Sequence, residues 1–106
     1  MTDYRYTIVE TLPLKASASG SGFARAFRAL SSLDGLAQGY GVSPAHEIRL
    51  YRSISDPQKV KVVYRAVDME ALWQFYQDTE VHETIKRVFD DYVDRERVTL
   101  EYWQEL

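Results

Sequence analysis

The chain reads as an α+β protein of element order β-α-β-β-α-β, with one four-stranded antiparallel sheet covered by helices whose second region is split in two. Three observations predict this. Four segments alternate apolar and polar residues, two intervening regions repeat apolar residues at helical spacing, and the two central strands are joined by a turn too short for a crossover.

The first strand spans Tyr4 to Lys15, with Tyr6, Ile8, Leu12 and Leu14 on one face and Arg5, Thr7 and Thr11 on the other. Small residues 16–22 (ASASGSG) follow, and Ser21 or Ser19 is placed to cap a helix carrying Phe23, Phe27, Leu30 and Leu33, which Asp34-Gly35 ends or breaks. A Gly39-Tyr40-Gly41 connector and Pro44 lead to a hairpin of Glu47–Ile54 and Lys59–Val67, whose turn Ser55-Asp56-Pro57-Gln58 has Pro at a favoured position. Asp68 caps a helix with Met69, Leu72, Trp73 and Tyr76 on its stripe. A second start at Asp78 or Thr79 turns Val81, Ile85, Val88, Phe89 and Tyr92 inward. Arg97 to Trp103 forms the last strand.

With 106 residues, 45% hydrophobic and 27% charged, the chain is expected to fold as a single domain over residues 1–106, without repeats or low-complexity tracts. A chain of this size buries only about 60–70% of its unfolded surface, so a homodimer interface would add useful burial. Thirteen basic residues against sixteen acidic ones give a formal charge of −3 and point away from nucleic acid. The absence of cysteine excludes disulfides, thiolate metal sites and cysteine nucleophiles. No signal-like opening and no membrane-length apolar run are present, so a cytoplasmic, unprocessed protein without a membrane role is expected.

Sorting strand residues by parity gives two unlike faces. The even set, Tyr6, Ile8, Leu12, Leu14, Ile48, Leu50, Ile54, Val60, Val62, Tyr64, Val98, Leu100 and Tyr102, is apolar enough to carry the helices; Glu10 and Arg52 are its exceptions and are placed to pair or to lie at an edge. The odd set holds Arg5, Arg49, Lys59, Lys61, Arg65 and Arg97 against only Glu47 and Glu101, with Val9, Tyr51, Val63, Val67 and Trp103 among them. Cations beside aromatic surface suit a small anionic or aromatic ligand, gripped by Arg49 and Arg65 and packed on Tyr51. The simpler alternative is a solvated face whose charges pair with one another.

The element order, together with VKVVYRAVDMEALWQFYQDTEVHETIKRVF at residues 60–89, resembles the dimeric α+β-barrel (ferredoxin-like) superfamily, which includes antibiotic-biosynthesis monooxygenase-like and EthD-like small domains. The resemblance covers nearly the whole chain as architecture. It implies a homodimer in which two sheets meet across the axis, with a ligand cavity between sheet and helices near Tyr6, Ile8, Glu10, Tyr64, Trp73 and Tyr76. Under it the odd face becomes interface, so two ligand locations stay open. Haem-degrading members carry Asn on strand one, then Trp and His on the later helices. This chain has no Asn, places Phe75 and Ile85 at the other two positions, and has Trp73 and His82 displaced from them, so that chemistry does not carry over.

Glu10, an ionisable group on an apolar strand face, is a candidate general base because desolvation would raise its pKa. Its structural alternative is a pair with Arg52. His82, flanked by Glu80 and Glu83 near a helix start, is the second catalytic candidate; its alternative is an exposed first-turn residue. His46 sits in a loop-like lead-in. Asp90, Asp91 and Asp94 spell DDYVD, the letters of a magnesium-diphosphate motif, but in a chain lacking the large helical bundle and second acidic motif they read as a solvated helix end. Gly20-Ser21-Gly22 could offer amides to an anion but reads as a connector or lid. No metal site and no cofactor are expected. The expected function is small-molecule binding, with monooxygenase-like or isomerase-like turnover on an anionic or aromatic compound; the alternative is a non-catalytic binding or assembly module.

Overall fold

A computed structural model describes residues 4–42 and 48–106. The elements are β1 (Tyr6–Pro13), α1 (Gly20–Arg28), α2 (Ser31–Gly39), β2 (Arg49–Arg52), β3 (Lys59–Ala66), α3 (Met69–Gln77), α4 (Thr79–Tyr92), a 3-10 turn (Arg95–Arg97) and β4 (Thr99–Gln104). The strands form one antiparallel sheet in the order β2-β3-β1-β4. The α+β architecture with a divided second helical region is therefore present.

The four helices lie on the even face. Ile8, Leu12, Val62 and Tyr64 are wholly buried there, joined by Phe23 and Phe27 of α1, Leu33 and Ala37 of α2, Leu72 and Phe75 of α3, and Val81, Ile85, Val88 and Phe89 of α4. Phe23 meets Phe27 and Phe89 edge-on and stacks on Tyr92, geometries that the aromatic quadrupole favours.

Local chemistry sets the helix ends. Ser19, not Ser21, caps α1 by accepting the Gly22 amide, Asp68 caps α3 through the Ala71 amide, and Asp78 caps α4 through the amides of Glu80 and Val81. The first helical region departs from expectation. It breaks at Ala29-Leu30, where Leu30 leaves helical geometry at ψ 65°, while Asp34-Gly35 lies inside α2. Restarting the helix there puts Leu33 and Ala37, four apart, on the core together. At its end, Gly41 takes φ +74° while its amide and that of Val42 bond back to Gln38 and Ala37, a Schellman closure that glycine permits without Cβ strain.

Three further boundaries shift. Of the expected strand Glu47–Ile54 only Arg49–Arg52 is ladder; His46 and Glu47 lie outside the described residues, and Ile54 is fully exposed beyond the strand end. Arg97 belongs to the 3-10 turn, and β4 runs to Gln104. Because β4 is an edge strand, Leu100 and Tyr102 are substantially exposed despite their even parity. On α3 Leu72 and Phe75 are buried and Tyr76 is half-buried, whereas Met69 and Trp73 face out. The register places Phe75 between the rings of Tyr64 (5.9 Å) and Tyr40 (6.3 Å), and Trp73 packs on Tyr102 instead.

Tyr40, just past α2, donates to Asp78 Oδ2 at 2.6 Å and so ties α2 to the α3–α4 joint. This bond, with the amides of Val81 and Glu80, holds the Asp78 carboxyl below its ordinary pKa of 3.8. A depressed carboxylate stabilises the fold above its unfolded pKa, and that contribution fades as pH falls through the folded value. Tyr40→Phe is therefore expected to lower the melting temperature near neutral pH, with the difference from the parent shrinking in acid; paired thermal melts across the acid range read this directly.

Candidate active site

Glu10 occupies the middle of β1, opposite Val62 on one side and Leu100 on the other, and points to the helix-covered face. It is 1% exposed, the sole charged residue among the buried ones described. Tyr64 is two residues along β3 from its direct partner, a diagonal that a long side chain spans. Its hydroxyl donates to Glu10 Oε1 at 2.7 Å, and Tyr76 of α3 donates to Oε2 at 2.5 Å. Both carboxylate oxygens thus meet a phenol donor, which allows the ionised form to exist where bulk water does not reach.

Two opposed effects act on this carboxyl. Burial raises its pKa, the hydrogen bonds from Tyr76 and Tyr64 lower it, and burial wins, leaving it above its ordinary value of 4.5. Tyr64 and Tyr76 are pushed upward by burial and by the adjacent Glu10 charge, so they remain donors throughout the working range. Within the cluster Glu10 is the group that exchanges a proton.

The carboxyl and Tyr76 line a cavity of about 210 Å³ between the sheet and α4. Val81, Ile85, Phe89 and Val98 supply its apolar wall, while His82, Lys86 and Arg95 bring polar groups. These three are exposed, so they form the mouth, and Glu10 the floor. The His82 ring lies edge-on to Tyr76 at 5.6 Å. Arg95 pairs with Asp90 at 2.7 Å; Lys86 has no partner among the described residues. A cavity of about 150 Å³ already holds a benzene ring, so one substituted ring fits, with a cation available to an acidic substituent.

No protein-family model matches the chain, and no curated protein matches it. Solved structures do. An antibiotic biosynthesis monooxygenase-like protein from Bordetella bronchiseptica superposes with a TM-score of 0.74 at 18% identity, covering 98% of this chain and 99% of that one. Another from Caulobacter crescentus gives 0.71 at 17%, covering 97% and 91%. SnoaB from Streptomyces nogalater, a cofactor-independent oxygenase, gives 0.70 at 10%, covering 98% and 95%. The chain has the antibiotic biosynthesis monooxygenase-like fold.

Within this monooxygenase-like fold the candidate residues divide into two groups. Glu10, Tyr64, Tyr76 and His82 come together on the helix side, with Tyr64 wholly buried behind the carboxyl, where it positions Glu10 rather than facing the cavity. Tyr6 is partly buried at the end of β1, and Trp73 is 44% exposed against Tyr102; neither lines the Glu10 cavity. Arg49, Tyr51 and Arg65 lie on the other face of the sheet. Arg65 is directed to Tyr4, whose carbonyl it meets at 3.4 Å and whose ring it overlies at 5.7 Å, and Arg49 is exposed. A Glu10–Arg52 pair is not formed. Strand β3 separates β1 from β2, Arg52 sits opposite Val60, and its stem crosses the start of α1.

Lys86 and Arg95 were not among the sequence candidates. Lys86 is four residues after His82 and so shares its helix face, a signal available from spacing; Arg95 lies in a 3-10 turn with no periodicity to mark it. Among the described residues no three His, Asp or Glu side chains gather as a metal site, and no helix is long and apolar enough to cross a membrane.

Proposed function

We propose that the protein binds a small, single-ring phenolic or otherwise acidic aromatic compound in the Glu10 cavity and deprotonates it, with Glu10 as general base. The observation that carries this reading is a buried carboxyl at the cavity floor, raised in pKa and bonded to two phenols that cannot compete for its proton. A base whose pKa moves toward neutrality is matched to proton abstraction near pH 7. Lys86 and Arg95 at the mouth favour an anionic substituent and offset the charge that develops on the ring. His82 stands where it can pass the proton to solvent.

Deprotonation leaves an electron-rich anion, which can give an electron to molecular oxygen. For a phenol with a free ring C–H para to its hydroxyl, radical recombination at that carbon forms a hydroperoxide, and loss of water leaves a quinone. The sum is phenol plus O2 giving quinone plus H2O, in line with an oxygenase that needs no cofactor, as SnoaB is described.

A homodimer through the uncovered sheet face belongs to the same proposal. Val9, Val63, Tyr51 and Trp103 lie on that face without helix cover, and an apolar patch of this kind is sheltered by a second copy. The experiment is a thermal-shift and oxygen-uptake screen against phenolic acids and quinols, run beside light-scattering mass. A ligand at about 100 times its Kd adds about 2.7 kcal/mol. A dimer stabilised by phenolic acids, with the shift weakened in Lys86→Glu, is the expected result. A dimer unmoved by every compound would replace the enzyme with an assembly module.

A further inference from the structure

A second cavity, of about 350 Å³, opens at the other end of the sheet, where α1 passes over the edge strand β2. At Gly20 the start of α1 comes close to the sheet, a Cβ there standing 3.7 Å from Val60 Cγ1, and one turn on the small Ala24, on the same helix face, lines the cavity with Leu50 and Val60. An arginine stands at each side. Arg28 comes from the last turn of α1, and Arg52 rises from β2, its Cδ only 3.0 Å from where a Cβ on Gly20 would sit.

The lining contains no carboxylate. Neither guanidinium has a hydrogen-bond or ion-pair partner among the described residues. Lys61 adds to the wall, although by strand parity its ammonium leaves from the opposite face. In a chain of net charge −3 with sixteen acidic residues, two arginines left without acids beside an apolar-walled cavity form a local cationic site. Guanidinium groups match carboxylate and phosphate oxygens in bidentate fashion. Phe23, Leu50 and Val60 are placed to take an organic body.

We infer that this cavity is a second ligand site, distinct from the Glu10 cavity, for a small organic oxyanion with an apolar body, held by Arg28 and Arg52. The common chemistry is an aryl or alkyl group bearing a carboxylate or a phosphate. The dependence on Gly20 is steric, because any larger residue there must displace the Arg52 stem.

The test is a 1H–15N NMR titration of the full chain with phenyl phosphate, benzoate and inorganic phosphate. Saturable shifts at Gly20, Ser21 and Leu50 are expected with phenyl phosphate or benzoate, and weaker ones with inorganic phosphate; the tighter of the two organic probes identifies the oxyanion. Arg52→Ala and Arg28→Ala should each weaken binding at least tenfold while leaving the spectrum folded, and Gly20→Val should do the same without removing a charge. Glu10→Gln should leave the affinity unchanged, which separates this site from the proposed base. Absence of saturable shifts around α1 and β2, or an Arg52→Ala variant that binds as the parent does, would overturn the assignment.

Discussion

Glu10→Gln is expected to keep the fold and to reduce turnover by about two to four orders of magnitude, the usual worth of a positioned general base. The substitution preserves size and a carbonyl acceptor for one tyrosine, so its cost falls on proton transfer rather than packing. Stability should move in the other direction. A carboxyl whose folded pKa is raised binds its proton more tightly in the native state, so the parent is most stable in acid and loses that margin as pH climbs from about 4.5 through the folded pKa. Glutamine has no charge to bury. The variant's melting temperature should lack this decline and match or exceed the parent's at neutral pH. Equal turnover in parent and variant would remove Glu10 from the chemistry, while an unchanged pH dependence of melting would place the titration elsewhere.

Phe75→Ala is expected to be the most damaging core truncation, costing about 3–5 kcal/mol from a total that for small domains is about 5–15 kcal/mol. Phe75 is wholly buried between Tyr64 and Tyr40. Its removal therefore empties space beside Tyr64 and frees the phenol that holds one carboxylate oxygen. Urea denaturation with an unchanged slope would show the loss as stability; Phe75→Leu should recover part of it. Loss below about 1 kcal/mol would mean that the helices close over the gap.

Much of this architecture follows from parity. The face that carries helices is the even set of β1 and β3, and Glu10 stands out because one carboxylate interrupts an apolar row. What parity could not supply is which donors reach it. Tyr64 comes from a diagonal across strands and Tyr76 from a helix whose rotation is fixed only by packing, and a modest rotation of that helix about Leu72 and Tyr76 exchanges Phe75 for Trp73. The break at Ala29-Leu30 carries neither glycine nor proline, whereas the Asp34-Gly35 pair that looks like a stop is carried within α2 because its neighbours Leu33 and Ala37 are buried. Arg52 illustrates the same limit. Its side of the sheet is given by counting, but its separation from Glu10 depends on strand order, which alternation does not encode.

The two tryptophans occupy opposite sides of the molecule's free margin. Trp73 rests on Tyr102 on the helix side of β4, and Trp103, 58% exposed, projects from the reverse of the same strand. Each is thus an intrinsic optical probe of one surface. In Trp73→Phe the remaining emission comes from the bare sheet side, and a blue shift with reduced acrylamide quenching on concentration would register anything that settles there. In Trp103→Phe the signal should stay constant through the same dilution series, so the chain carries its own paired fluorescence control without a label.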